Sequence, residues 1–220
     1  MTSKTQVQLD IVSDVVCPWC IVGYKRLQTA ISELSDVAEF SINWQPFELN
    51  PQMPAGGQHL GEHIQEKYGS SPEQSQQSRQ QLQNIGSDIG FEFNFNDESR
   101  IYNTFNAHKL LLWAKDFDKQ TALKLALFDS YFTAQQNIEN DEVLLAAVEV
   151  AGLSAAEAGE VLANDELNTF VRAELNRWTQ AGISSVPSVI VDSKYLINGA
   201  RESSDVKALL LQIIDEQTTA

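Results

Sequence analysis

The sequence contains no run approaching the ~20 apolar residues that a membrane-spanning helix needs. Its opening, MTSKTQVQLD, lacks the apolar stretch of a secretory signal. Basic residues are scarce, 15 against 30 acidic ones, giving a net charge of −15, and they form no stripe. Nucleic acids and anionic bilayers are bound through clustered lysine and arginine, so neither is expected as a partner. Cysteine is scarcer still, with two in 220 residues. What remains, 43% hydrophobic and 20% charged, suits a packed soluble chain and argues against wholesale disorder. The expectation is a cytoplasmic protein. Thiols are kept reduced there, so a close cysteine pair serves catalysis or metal binding more often than bracing.

Both cysteines fall within SDVVCPWC, residues 13–20. Before them, Val7, Leu9 and Ile11 alternate as a strand does. After Cys17 the period lengthens: Tyr24, Leu27, Ile31 and Leu34 recur at three- and four-residue steps, the mark of an amphipathic helix. Phe40, Ile42 and Trp44 alternate again. The first ~45 residues therefore read as a βαβ unit.

Prolines and glycines in FELNPQMPAGG, residues 47–57, then break regular structure. Helical signals follow from residue 58 to 181. HLGEHIQEKYG is a short helix. Ser71-Pro72 offers an N-cap followed by proline at the first helical position. Apolar stripes run through Phe105 and Leu112; through Leu123, Leu127, Phe128, Tyr131 and Phe132; through Val143, Ala147, Val148 and Ala151; and through Leu167, Phe170, Val171, Leu175 and Trp178. Past Gly182, SVIVDSKYLING reads as a hairpin turning at Asp192-Ser193-Lys194. A last helix carries Val206, Leu209, Leu210, Ile213 and Ile214. The order is βαβ, a block of helices, then ββα, with no internal repeat.

Cys17 thus sits at the N-cap of the first helix, Pro18 at its first position and Cys20 one turn further in. Helical residues three apart are neighbours within disulfide reach. A helix N-terminus carries about half a positive charge, which predicts a Cys17 thiolate of lowered pKa. The thiolate attacks in disulfide exchange, so Cys17 is the expected nucleophile and the deeper Cys20 the resolving thiol.

The chain resembles the DsbA-like oxidoreductases, and among them the FrnE type. The matching stretches are SDVVCPWC (13–20), WQPFELNP (44–51), NTFNAHKLL (103–111) and GISSVPSVIVDSKYLINGAR (182–201). The resemblance implies an α/β thioredoxin fold interrupted by an all-helical insertion. Residues 1–57 and 182–220 would form the thioredoxin-like domain and 58–181 the insert. It implies thiol–disulfide oxidoreductase or isomerase activity on disulfide-containing proteins or small thiols. It also implies a cis Val186–Pro187 bond facing the cysteines, with Pro18, Trp19, Val186 and Pro187 contacting substrate. No cofactor is implied beyond the Cys17–Cys20 pair, although glutathione could be a co-substrate. DsbA-type proteins usually carry histidine where Trp19 stands, a departure that argues against a strongly oxidising potential.

Other readings exist. Kappa-class glutathione transferases and chromene carboxylate isomerases share the architecture but place serine where this chain has Cys17. A non-enzymatic alternative is a peptide-binding chaperone using the Val186–Pro187 edge. His59 and His63 formally complete a Cys₂His₂ set with Cys17 and Cys20. The intervening segment is far longer than the ~12–15 residues of finger motifs, and HLGEH lacks a glutamate directly after its first histidine. A solvated helix face accounts better for both, and no metal is expected. His108 and Asn103 could border the cleft. Trp44, Trp113 and Trp178 are expected in the core, and Trp19 in a position exposed to substrate.

Overall fold

The computed structural model describes residues 4–218. Residues 1–3 and 219–220, which the sequence assigns to the thioredoxin-like unit, lie outside the described residues. The chain runs through β1 (Thr5–Ser13), α1 (Pro18–Glu33) and β2 (Ala38–Pro46), then β3 (Gln58–His59), α2 (Leu60–Tyr68) and α3 (Pro72–Ile89). Next come β4 (Arg100–Ile101), α4 (Phe105–Ala114), α5 (Gln120–Phe128), α6 (Asp141–Val150), α7 (Ala155–Ala163) and α8 (Glu166–Gln180). β5 (Ser188–Val191), β6 (Tyr195–Asn198) and α9 (Ser203–Thr218) close the chain.

The main sheet has the order β2-β1-β5-β6. β1 and β2 are parallel, with Leu9 opposite Ile42 and Ile11 opposite Trp44. β5 returns antiparallel to β1, with Ile11 opposite Val189. Alternation divides β1 between two faces. Val7, Leu9 and Ile11 enter the main core with Cys20, Ile21 and Leu27 of α1 and Leu210 and Ile213 of α9. Val12 points the other way, to Phe47, Trp178 and Ile183. The β5–β6 turn falls at Asp192-Ser193-Lys194 as expected. Asp192 and Ser193 take left-handed φ values of 48° and 56°, a conformation that aspartate tolerates through its short polar side chain.

Local signals placed most helices. Ser71 caps α3 in a reciprocal capping box with Gln74, with Pro72 in the first turn. The apolar stripe beginning in α5 runs past its end into one π-helical stretch, Asp129–Thr133. This wider turn still delivers Tyr131 and Phe132 to the core. Three features differ from the sequence expectation. The insert contains a two-residue ladder, β3 against β4, too short to show alternation. α7 lies in the region read as helical but was not singled out, because AAEAGEVLA carries no large apolar stripe and buries only Ala158. Phe170 is 55% exposed, off the Val171, Leu175 and Trp178 face of α8 that is buried.

Candidate active site

Cys17 is the N-cap of α1, extended in backbone, with Pro18 in the first turn. No side chain caps the helix. The Cys20 amide instead donates to the Cys17 carbonyl at 3.0 Å. Both cysteines are free thiols. Cys17 is 4% exposed and Cys20 0%, so access alone ranks them in the expected order. The Val186–Pro187 bond is cis, and the Cys17 thiol points at the Val186 carbonyl, 3.7 Å away. Val186 is half-buried and Pro187 buried. Trp19 is 40% exposed beside Cys17. Exposed Tyr68, at the end of α2, forms another part of the rim: burial and the Cys17 sulfur both push its phenol up.

The charge distribution differs from what a bare helix terminus predicts. The two thiols act on each other's acidity in opposite directions. Cys17 is pushed well up by its hydrogen bond to Cys20, by burial, and by repulsion from Cys20 and Asp14. Burial also works against charge on Cys20. The Cys17 thiol and the Lys124 ammonium outweigh it and bring Cys20 down. The helix dipole favours an anion near either sulfur, and these neighbours raise Cys17 and lower Cys20 against that common background.

Asp14, three residues before Cys17, is completely enclosed. One carboxylate oxygen accepts the Leu49 amide at 2.7 Å. The other accepts Nε2–H of buried His108 at 3.2 Å. Burial would raise Asp14, but the His108 and Leu49 hydrogen bonds and the Lys124 charge hold it below the ordinary 3.8. Burial dominates at His108 and lowers it despite Asp14. The pair is therefore a carboxylate accepting from a neutral imidazole at neutral pH.

Lys124 of α5 is 1% exposed. Its Nζ reaches the Ser13 carbonyl at 3.4 Å. It also lies 5.3 Å from the centre of the Trp44 ring and 5.1 Å from that of Phe128. Burial pulls it down to about 8, against attraction from Cys20, Asp14 and Cys17. The 47–50 loop joins the set. Phe47 packs beside Val12, and Glu48 pairs with Arg172 of α8, whose guanidinium lies 4.0 Å from the Phe105 ring centre. Lys67 of α2 holds the Leu49 carbonyl at 2.8 Å.

The structure thus brings Cys17, Cys20, Pro18, Trp19, Val186 and Pro187 together. His108 does not border an open cleft, because it is buried against Asp14. Asn103 starts α4 by accepting the Phe105 amide. The two histidines of HLGEH do not share a solvated face. His59 caps α2 and donates to the Asp97 carbonyl, while His63 is buried against Gln58. Their packing follows from β3, which the sequence did not show. Trp44 and Trp178 are in the core and Trp113 is half-buried. Sequence reading gave no role to Ser13, Asp14, Glu48 or Lys124. The available signal was a charged residue inside an apolar stretch, Lys124 in LKLALF and Asp14 in IVSDVV.

The profile of the DsbA-like thioredoxin domain matches residues 8–210. A crystal structure described as a probable DsbA oxidoreductase from Streptomyces coelicolor is 29% identical, with a TM-score of 0.87 over 94% of this chain and 89% of that one. The uncharacterized protein YwbO of Bacillus subtilis is 26% identical over 96% of this chain and 98% of its own. The cytosolic disulfide reductase DsbM of Pseudomonas aeruginosa, solved with glutathione, shares the fold at 15% identity, with a TM-score of 0.63 over 94% of this chain and 99% of its own.

Proposed function

The chain belongs to the DsbA-like thioredoxin domain family, and on that footing we propose that it is a thiol–disulfide oxidoreductase and isomerase of the FrnE type. Cys17 attacks a substrate disulfide and Cys20 resolves the mixed disulfide. The observation that carries this reading is a convergence. Four stretches far apart in sequence meet around the first: its Asp14 accepts from Leu49 of the second and His108 of the third, and its Cys17 points at Val186 of the fourth.

Cys20 is sealed from solvent and Cys17 is not, so substrate reaches Cys17. The Cys17 thiol gives up its proton to the medium. The freed Cys17 sulfur attacks the disulfide, and one substrate sulfur leaves as a thiolate. The Val186 edge offers backbone to an extended substrate, and Trp19 an apolar surface.

Two features favour the reducing direction. The Asp14 carboxylate disfavours charge on Cys17, and position 19 is an uncharged indole. Weaker stabilisation of the attacking Cys17 thiolate makes the reduced form a better electron donor. Glutathione, which accompanies DsbM in its crystal structure, is the proposed reductant, and the cytosol the proposed compartment. A potential nearer the thioredoxin value of about −270 mV than the DsbA value of about −120 mV is expected against a glutathione buffer.

Insulin reduction and refolding of scrambled ribonuclease test the scheme. Cys17→Ser should abolish both, and Cys20→Ser should accumulate mixed disulfides with substrate. Full activity in both variants would reject it.

A further inference from the structure

We propose that the groove between the α2–α3 turn and the N-terminal part of α3 is the docking surface for the polypeptide segment flanking the substrate cysteine, and that the segment it takes is extended, polar and uncharged. The proposal rests on the exchange scheme above and names its substrate more closely.

A turn and a stripe build the groove. Gly69 ends α2 in the left-handed region, at φ 68°, and turns the chain into α3. Tyr68 and Ser70 form one wall, and Gln74, Gln77, Ser78 and Gln81 the other, around about 550 Å³. Those four positions of α3 recur at three- and four-residue steps, so they share one face. The face is exposed and carries no charge. The charged side chains that border it in sequence are engaged elsewhere: Lys67 with the Leu49 carbonyl and Asn50, Glu73 with Ser71 and Arg79 with Ser75. In a chain of net charge −15, that neutrality sets the face apart.

Its amides are also unspent. Gln80 and Gln83, on other sides of α3, reach Asn84 and the Phe93 carbonyl. The side chains of Gln77, Ser78 and Gln81 hydrogen-bond to none of the described residues. A glutamine amide offers a carbonyl and two N–H donors, the same kinds of group as a peptide backbone. Successive helical turns present them about every 5.4 Å. An extended chain repeats its outward N–H and C=O every second residue, about 6.6–6.8 Å apart. Flexible glutamine stems close that gap of about 1 Å per turn. An apolar segment would leave these amides unpaired, and a charged one would lose water without gaining a counter-ion.

Hydrogen bonds join the groove to the reacting thiol. Lys67, beside Tyr68, holds the Leu49 carbonyl at 2.8 Å. The Leu49 amide donates to the Asp14 carboxylate at 2.7 Å, and the Cys17 amide donates to the Asp14 carbonyl at 3.3 Å. α3 itself packs on α1, the helix that opens at Cys17. Tyr68, 63% exposed, belongs to both places: it lines the groove, and the Cys17 sulfur acts on its phenol. Trp19 meets the residues next to the disulfide, and the groove takes those further along the substrate.

Peptides carrying one cysteine as a mixed disulfide with thionitrobenzoate test this in stopped flow, since reaction with the reduced protein releases a coloured thiolate. Three peptides differ only in the flank, which holds Ser-Gln-Gly repeats, glutamates or leucines. Bis(thionitrobenzoate) disulfide, which has no flank, is the reference for every rate. The Ser-Gln-Gly peptide should react about fivefold or more faster than either of the others. Gln77→Ala/Gln81→Ala should reduce that preference by about the same factor, and Gln76→Ala, on α3 but outside the groove, should keep it. Equal rates for the three flanks, a leucine flank that reacts fastest, or a preference that survives Gln77→Ala/Gln81→Ala each overturn the proposal. Nuclear magnetic resonance of Cys17→Ser gives a readout without exchange. The side-chain amide signals of Gln77 and Gln81 should shift on adding a cysteine-free Ser-Gln-Gly peptide, and signals that stay in place overturn the proposal too. A wild type that releases no thiolate from the reference disulfide defeats the exchange scheme instead.

Discussion

Gln120 stands where a fifth strand would pair with Trp44. Its Oε1 accepts the Trp44 amide at 2.7 Å, and its Nε2 donates to the Trp44 carbonyl at 2.9 Å and to the Leu111 carbonyl at 3.1 Å. β2 is an edge strand, and edges present unpaired backbone. Here one buried amide side chain from α5 satisfies the edge and ties α4 to it.

Gln120→Ala should therefore destabilise more than a typical polar deletion. It strands three backbone groups without water, at about 1–3 kcal/mol for each unsatisfied group if none relaxes. Urea unfolding should show a loss of about 3 kcal/mol or more, with faster hydrogen exchange at the Trp44 amide. A loss below about 0.5 kcal/mol would mean that the edge finds other partners.

Asp14 contributes stability with a defined pH sign. Its folded value lies below the ordinary 3.8, so its contribution is fully present above that value. It is lost as pH falls through the lower folded value. Asp14→Asn should cost about 1.5–3 kcal/mol at neutral pH, the range for hydrogen bonds to a charged group. It should also flatten the acid limb of the stability curve below about pH 4. An unchanged acid limb would assign acid unfolding to other carboxylates.

Lys124 has the opposite consequence at high pH. Its folded value of about 8 lies below the ordinary 10.5, so between the two the unfolded chain binds more protons. Stability should rise with pH across that window, by roughly 3 kcal/mol in all. The measurement belongs on a Cys17→Ser/Cys20→Ser background, where the thiols do not titrate and the lower edge of the window moves down. Lys124→Met should remove the rise and be more stable than its parent at pH 7. A profile still climbing in that variant would place the titration elsewhere.

Gly23 of α1 lets the helix approach the cis-proline loop. A Cβ there would meet Pro187 Cγ at 3.0 Å and the Ala200 backbone at 3.4 Å. Pro187 is anchored by the Gly199 amide at 2.9 Å. Gly23→Ala should shift the Val186 carbonyl relative to Cys17 and slow attack on peptide disulfides several-fold, with an unfolding midpoint close to wild type. Equal losses in rate and stability would point to general damage to packing.

The frame was legible because its signals are local. A period of two gave β1, β2 and the β5–β6 hairpin, and a period of 3.6 gave α1 and most of the insert. The cysteine pair was legible for the same reason. The network behind it was not. Asp14, His108 and Lys124 become functional neighbours by burial, and burial of a charge depends on which distant segment closes over it. Lys124 lies within a turn between Leu123 and Leu125, four residues from both Gln120 and Phe128. That position puts its amine on the inward side, yet a lysine in a helix ordinarily reads as solvated. The helix-terminus argument expected a lowered Cys17 thiol because it left out Cys20, burial and Asp14, all of which push that thiol up.

The pairing of Gln120 with β2 has a further consequence for engineering. Excising the bundle and splicing β2 directly to the hairpin would bare a sheet margin and orphan a submerged carboxylate in one cut. The redox half of this molecule is not a portable module. A graft would have to carry an amide for Trp44 and a replacement for His108 before its thiols could behave as they do here.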